Sequence, residues 1–183
     1  MASSSLTSQI IPGSLGGTYA GNVVSCAAAT AVVDTMHSEN VIANVSARSN
    51  DLFSALNGLR YDPALNPHIL DVRGKGLMIA VEFASPSSPG RTARSAASPR
   101  LNVGIDGTYS QVHTPKDVQL IPGLATKVTK KCAEKGLLLL TTSAYEVVRF
   151  IPPLNITKEE LLEGTKIFGD ALREVVKESA AAA

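Results

Sequence analysis

The sequence predicts an α+β fold, with helices packed on a small, mostly antiparallel sheet. Residues 69–83, ILDVRGKGLMIAVEF, alternate with the period of two that marks a half-buried strand. Two further short apolar segments, LLLLT at 137–141 and EVVRF at 146–150, lie close enough in sequence to be neighbouring strands. Segments with helical spacing of apolar residues flank both strand regions. The expected order is helix, helix, strands, a long excursion, helix, strand, strand, helix.

The first helix follows Gly16-Gly17-Thr18-Tyr19-Ala20-Gly21-Asn22. Glycines, then Asn22 at an N-cap, then VVSCAAATAVVDTM read as a loop feeding a helix. A second helix follows Ser38, with Ile42, Val45, Leu52, Leu56 and Leu59 on one stripe. Gly58, Pro63 and Pro67 end it. Gly74-Lys75-Gly76 then signals a turn between two strand segments. Leu77, Ile79, Val81 and Phe83 share one face, and Met78, Ala80 and Glu82 the other.

Residues 84–123 carry no usable period and are rich in Ser, Pro, Gly and Thr, which predicts a flexible insertion or a lid within a single unit spanning 1–183. Order returns at 124–135, where Leu124, Val128 and Cys132 fall on one side of a helix stopped by Gly136. LLLLT reads as a buried strand. Pro152-Pro153 break the strand after it. Thr157 through Glu160 form a capping box ahead of a long helix that buries Leu161, Phe168, Leu172 and Val175. The terminal SAAAA reads as a frayed end.

Composition removes several function classes. The 183 residues carry 17 basic and 16 acidic side chains, so no charge excess draws the chain to nucleic acid or an anionic membrane. No apolar run reaches the ~18 residues of a membrane span. The opening MASSSLTSQIIPGSLGG has neither a secretory pattern nor the arginines of an import sequence, and the two cysteines lie far apart. A reduced, cytoplasmic setting is expected. His37, His68 and His113 have no metal-ligand spacing, and aromatic content of 4% argues against a stacking platform.

Two places suggest chemistry. Gly16, Gly17 and Thr18 before a helix start could admit a phosphate or carboxylate, although neither dinucleotide-binding nor Walker spacing is present; the plain alternative is a helix-entry loop. Arg149, in V-V-R-F, could clamp a carboxylate through two parallel hydrogen bonds, or could form an internal ion pair with Glu146 or Glu82.

GGTYAGNVVSCAAATAVVD, DVRGKGLMIAVEF and KGLLLLTTSAYEVVRFIPPLNITKEEL, in that order, resemble the C-terminal region of class III pyridoxal-phosphate-dependent aminotransferases, 4-aminobutyrate aminotransferase most of all. The resemblance covers most of the chain outside 84–123. It implies the small domain of a fold-type I aminotransferase. Thr18, beside Gly17, then matches the threonine that reaches the cofactor phosphate of a dimer partner. Arg149 matches the arginine that grips the substrate carboxylate. The stretch before Arg149, SAYEVVRF, departs from the Gly and Asn of many relatives, and the excursion is longer and more polar than theirs.

The family's large domain supplies the Schiff-base lysine, the aspartate facing the pyridine nitrogen and the stacked aromatic residue. No motif here matches them. Lys75 lies between glycines, and Lys127, Lys130, Lys131 and Lys135 share one helix, so none suggests the buried, pKa-depressed lysine such chemistry needs. The expectation is a truncated aminotransferase-like protein that binds a small carboxylate and does not transaminate alone. It holds no cofactor by itself, and pyridoxal phosphate only when completed by a partner. A homodimer, or pairing with a large-domain chain, is the expected assembly. Two alternatives stand beside it. One is a cofactor-independent cyclase, isomerase or lyase in which Arg149 holds the acid, Tyr145, His113 or Glu146 moves protons, and 84–123 acts as a lid. The other is a non-catalytic subunit or decoy.

Overall fold

The computed structural model describes residues 4–11, 16–85, 101–103, 109–111, 120–142 and 145–181. Two compact units divide the chain, Met1–Val41 and Ile42–Ala183.

The first unit holds α1 (Ser4–Thr7) and α2 (Val23–Ser38). Asn22 caps α2 as its residue type predicts: its Oδ1 accepts from the N–H groups of Val24 and Ser25, both at 3.1 Å. No residue of α2 is buried, and Val23 and Val24 are 79% and 73% exposed. An Ala- and Val-rich helix in water on every side is unusual, because apolar periodicity normally finds a core.

The second unit opens within α3 (Val41–Gly58), whose residues from Ile42 onward belong to it. Leu52 and Leu56 are buried on it and Val45 and Leu59 pack against the core, whereas Ile42, placed on the same stripe from sequence, is 60% exposed. Val41 takes its place: four residues before Val45, it is the first-turn residue that is buried, at 7% exposure.

Then come β1 (Ile69–Lys75), β2 (Met78–Phe83), β3 (Leu101–Val103), β4 (Tyr109–Gln111), α4 (Leu124–Glu134), β5 (Leu140–Thr142), β6 (Tyr145–Phe150) and α5 (Lys158–Ala181). A four-stranded antiparallel sheet has the order β1-β2-β6-β5. The α+β architecture read from sequence is therefore the observed one. Strands β3 and β4 pair antiparallel inside 84–123, where the sequence carried no strand signal.

One sheet face forms the core. Ile79, Val81, Phe83, Val148 and Phe150 pack against Leu124, Val128 and Cys132 of α4 and Leu161, Phe168 and Leu172 of α5. Phe168 lies at its centre, edge-on to Phe150 at 5.0 Å and stacked with Phe83 at 6.4 Å. The capping box holds α5: Thr157 N–H and Oγ1 both donate to Glu160, at 3.0 and 2.7 Å.

Two sequence expectations change. LLLLT is not a buried strand: β5 begins only at Leu140, and Leu138 and Leu140 are 84% and 61% exposed. Leu137 and Leu139 pack against the core, whereas Leu140 is in register with Arg149, on the sheet face turned away from it. The end of SAAAA is also more ordered than expected, since α5 continues to Ala181.

A Cβ on Gly74 would collide with the Met78 carbonyl oxygen and lie 2.7 Å from the Ile79 Cα, both backbone atoms that cannot yield. Gly58→Ala meets nothing within 4 Å. In urea denaturation, Gly74→Ala should lose about 2 kcal/mol or more, whereas Gly58→Ala should gain ~0.5 kcal/mol. Equal effects would contradict the hairpin geometry.

His68, only 6% exposed, has its pKa lowered from 6.5 by burial. The unfolded chain then binds the proton first as pH falls, so stability is full above about pH 6.5 and declines below it. Thermal melts of the chain and of His68→Gln between pH 7.5 and about 5.5 should show the slope in the first and a flatter line in the second.

Candidate functional site

Arg149 owes its position to strand alternation. Val148 and Phe150 turn into the core, so the residue between them faces outward, in register with Ala80 of β2 and Leu140 of β5. Ala80 in turn faces Arg73 of β1. Arg149 borders an apolar cleft of about 370 Å³ walled by Leu137–Leu140, Phe150 and Pro152.

Neither acid suggested from sequence pairs with it. Glu82, 3% exposed, is bound by Arg73, which also reaches Asp71 at 3.1 Å. Burial disfavours the Arg73 charge, but Glu82 and then Asp71 outweigh it and raise the pKa above its ordinary value. Glu146 stands on the opposite face of β6 from Arg149 and serves α4. Its carboxylate accepts from the N–H groups of Gly123 at 3.1 Å and Ala125 at 2.8 Å, where the helix start favours negative charge. Glu160 also borders the cleft, yet hydrogen bonds from Thr157 hold it and lower its pKa. Among the described residues Arg149 makes no ion pair, which leaves its five donors available.

Tyr145 falls on the Arg149 face of β6 and is 55% exposed; its carbonyl accepts from Thr142 Oγ1 at 3.1 Å. His113 lies outside the described residues. Thr18 and Gly17 belong to the first unit and Arg149 to the second. Thr18 is exposed in the turn before α2, with no side-chain hydrogen bond among the described residues, and a Cβ on Gly16 or Gly17 would meet nothing within 4 Å. Asn22 already occupies two of the first amides of α2, so an anion here would be met by the Thr18 hydroxyl and the glycine backbone rather than by the helix end.

No described lysine suits a Schiff base. Lys75, Lys127, Lys130 and Lys135 are exposed. Lys131 has its pKa raised by the hydrogen bonds it donates to Glu174 and Glu178, the reverse of what a nucleophilic amine needs. Cys132 is buried and pushed up to about 11 by desolvation, which makes it an inert core residue. Among the described residues no group of His, Cys, Asp and Glu is placed to hold a metal ion, and no helix is long and apolar enough to cross a membrane.

Sequence reading missed Asn44. Its Nδ2 donates to the carbonyls of Leu154 at 2.9 Å and Ile156 at 3.1 Å, tying α3 to the segment after Pro152-Pro153 that borders the cleft. An asparagine on a helix face gives no local sign of a partner 110 residues away.

A sheet with helices on one face and, on the other, an exposed arginine that makes no ion pair among the described residues defines a domain that presents a cation from a strand. The family model for aminotransferase class-III matches residues 1–172, and the chain belongs to that family. It is 32% identical to acetylornithine aminotransferase of Clostridium acetobutylicum over 94% of this chain and 34% of that protein. It is 31% identical to 4-aminobutyrate aminotransferase GabT of Escherichia coli over 90% and 32%. Solved relatives include acetylornithine aminotransferase from Elizabethkingia anophelis, with TM-score 0.63 and 27% identity over 90% of this chain and 32% of that one. Another is ornithine aminotransferase from Toxoplasma gondii, with TM-score 0.63 and 26% identity over 92% and 31%. The chain thus spans about a third of the length of the curated relatives it matches.

Because Glu146 serves α4 and not Arg149, Glu146→Ala should cost about 1–2 kcal/mol in urea denaturation. Combined with Arg149→Ala, the effects should add to within ~0.5 kcal/mol. A larger coupling would reinstate the ion pair.

Proposed function

We propose that this chain is the carboxylate-holding part of a pyridoxal-phosphate-dependent aminotransferase site that a large domain completes. The observation that carries the reading is Arg149: an exposed guanidinium on a rigid strand, beside an apolar cleft, with both nearby acids committed elsewhere. Such a cation binds a planar carboxylate through two parallel hydrogen bonds, and the apolar wall beside it suits the aliphatic part of an amino acid. Relatives named for 4-aminobutyrate, 5-aminovalerate and acetylornithine support a substrate of that type.

Pyridoxal phosphate, when bound, supplies the electron sink for reactions at the amino-bearing carbon. The chain's contribution to it is the Thr18 hydroxyl, in an open glycine turn that leaves room for a phosphate oxygen. The lysine that carries the cofactor is supplied from outside the described residues. The unburied Val23, Val24, Val32 and Val33 of α2 support a further protein body covering this helix. A second copy of the chain, as in a homodimer, is the alternative cover, with cytoplasmic residence proposed on the absence of a spanning helix among the described residues.

Titration of the purified chain with pyridoxal phosphate, followed by borohydride reduction and mass spectrometry, should leave no lysine stoichiometrically labelled. With a large-domain polypeptide of the family added, label should appear on that polypeptide. Amino-group transfer by the mixture should then fall at least about a hundredfold in Arg149→Ala, with most of the loss in KM for the carboxylate substrate. Stoichiometric labelling of the chain alone would overturn the reading.

A further inference from the structure

We propose that the cleft between α4 and α5 binds an amphiphilic organic anion, a carboxylate on an aliphatic body of roughly six to ten carbons. This cleft has a volume of about 720 Å³ and shares no lining residue with the one beside Arg149.

Three features select that chemistry. The first is a wall of Leu120, Ile121, Pro122, Val175 and Val176, which offers burial to an aliphatic chain. The second is unbalanced charge. Lys131, Glu134 and Glu178 all line the cleft, but the two acids reach Lys131 at 3.7 and 3.3 Å, and Glu174 reaches it at 3.0 Å. That group is internally satisfied. Lys127 and Lys130, also on the lining and exposed, have no acidic partner among the described residues. A ligand carboxylate would meet two free ammonium groups.

The third feature is His68, which lines the same cleft at 6% exposure with no hydrogen-bond partner for its buried Nδ1 among the described residues. Buried polar atoms are seldom left unpaired without cause. Burial keeps the ring neutral at pH 7, and a neutral imidazole still donates one N–H to a carboxylate oxygen. Its backbone is fixed on both sides, by the Ala84 N–H donating to its carbonyl and its own N–H donating to Leu65, each at 2.9 Å. An apolar wall, two unpaired cations and an unsatisfied imidazole converge on one cavity, and together they describe an amphiphilic acid.

The test uses the whole chain and the imidazole resonances of its three histidines, assigned with His68→Gln. Octanoate should shift the His68 signals saturably, with half-saturation at about 1 mM or below, while acetate and octylamine leave them in place. Lys127→Gln combined with Lys130→Gln, both surface changes, should weaken octanoate about tenfold or more. Arg149→Ala should leave the titration unchanged. His68 signals unmoved by octanoate up to about 10 mM, equal shifts with octylamine, unaltered affinity in the double lysine variant, or loss of binding in Arg149→Ala would each overturn the proposal.

Discussion

The packing of β6 over Phe168 is the constraint on which the rest of the second unit depends. β6 is an inner strand, paired with β2 on one side and β5 on the other, so its backbone groups are committed to the ladder and its side chains must alternate. Val148 and Phe150 are drawn inward by the edge-on contact with Phe168 and by the apolar sides of α4 and α5. That commitment turns Arg149 outward. Slipping the register by one residue would bury the guanidinium and expose Phe150, at a cost far above what any surface contact could return. The outward position of this charged group is thus held by hydrophobic packing on the other side of the strand.

The acids around it show a division of labour that a charge count hides. Glu82, Glu146 and Glu160 all lie near the sheet or the cleft, yet each is held by a group other than Arg149: Arg73, the amides of α4, and Thr157. Among the described residues Arg149 makes no ion pair, and each of these carboxylates has a donor of its own. Asn44 adds a further restraint by fixing the chain that leaves β6, so the edge of the cleft is anchored to α3 as well as to the sheet.

Much of this was legible in the sequence where a local pattern had a single physical solution. Alternation across 77–83 marks one apolar face, and Leu77, Ile79, Val81 and Phe83 are all buried; Glu82, buried on the other face, is the exception that the alternation did not foretell. Thr157 and Glu160 satisfy each other within one turn, so their spacing is sufficient evidence of a helix start. What failed depended on neighbours. Four consecutive leucines do not say which of them will meet a core, and only Leu137 and Leu139 do. The pairings within 84–123 join residues with no period between them. For Arg149 the sequence left an ion pair and a ligand site open, since the choice turns on where Glu82 and Glu146 go, and both go to partners distant in sequence or across the strand.

The exposure of α2 follows from the same reasoning applied to a helix. Val23, Val24, Val32 and Val33 alternate with Ala and Thr all round its surface, so no face is polar enough to be the natural solvent side. Helices of that composition are stable chiefly through burial, since their intrinsic propensity is modest and β-branched residues lower it. The chain spans about a third of the length of the relatives it matches, and the family match covers residues 1–172, α2 included. The exposed valines of α2 and Arg149, which makes no ion pair among the described residues, therefore share one trait: each leaves at the surface what packing or pairing elsewhere in the chain conceals, apolar area in the first unit and a charge in the second.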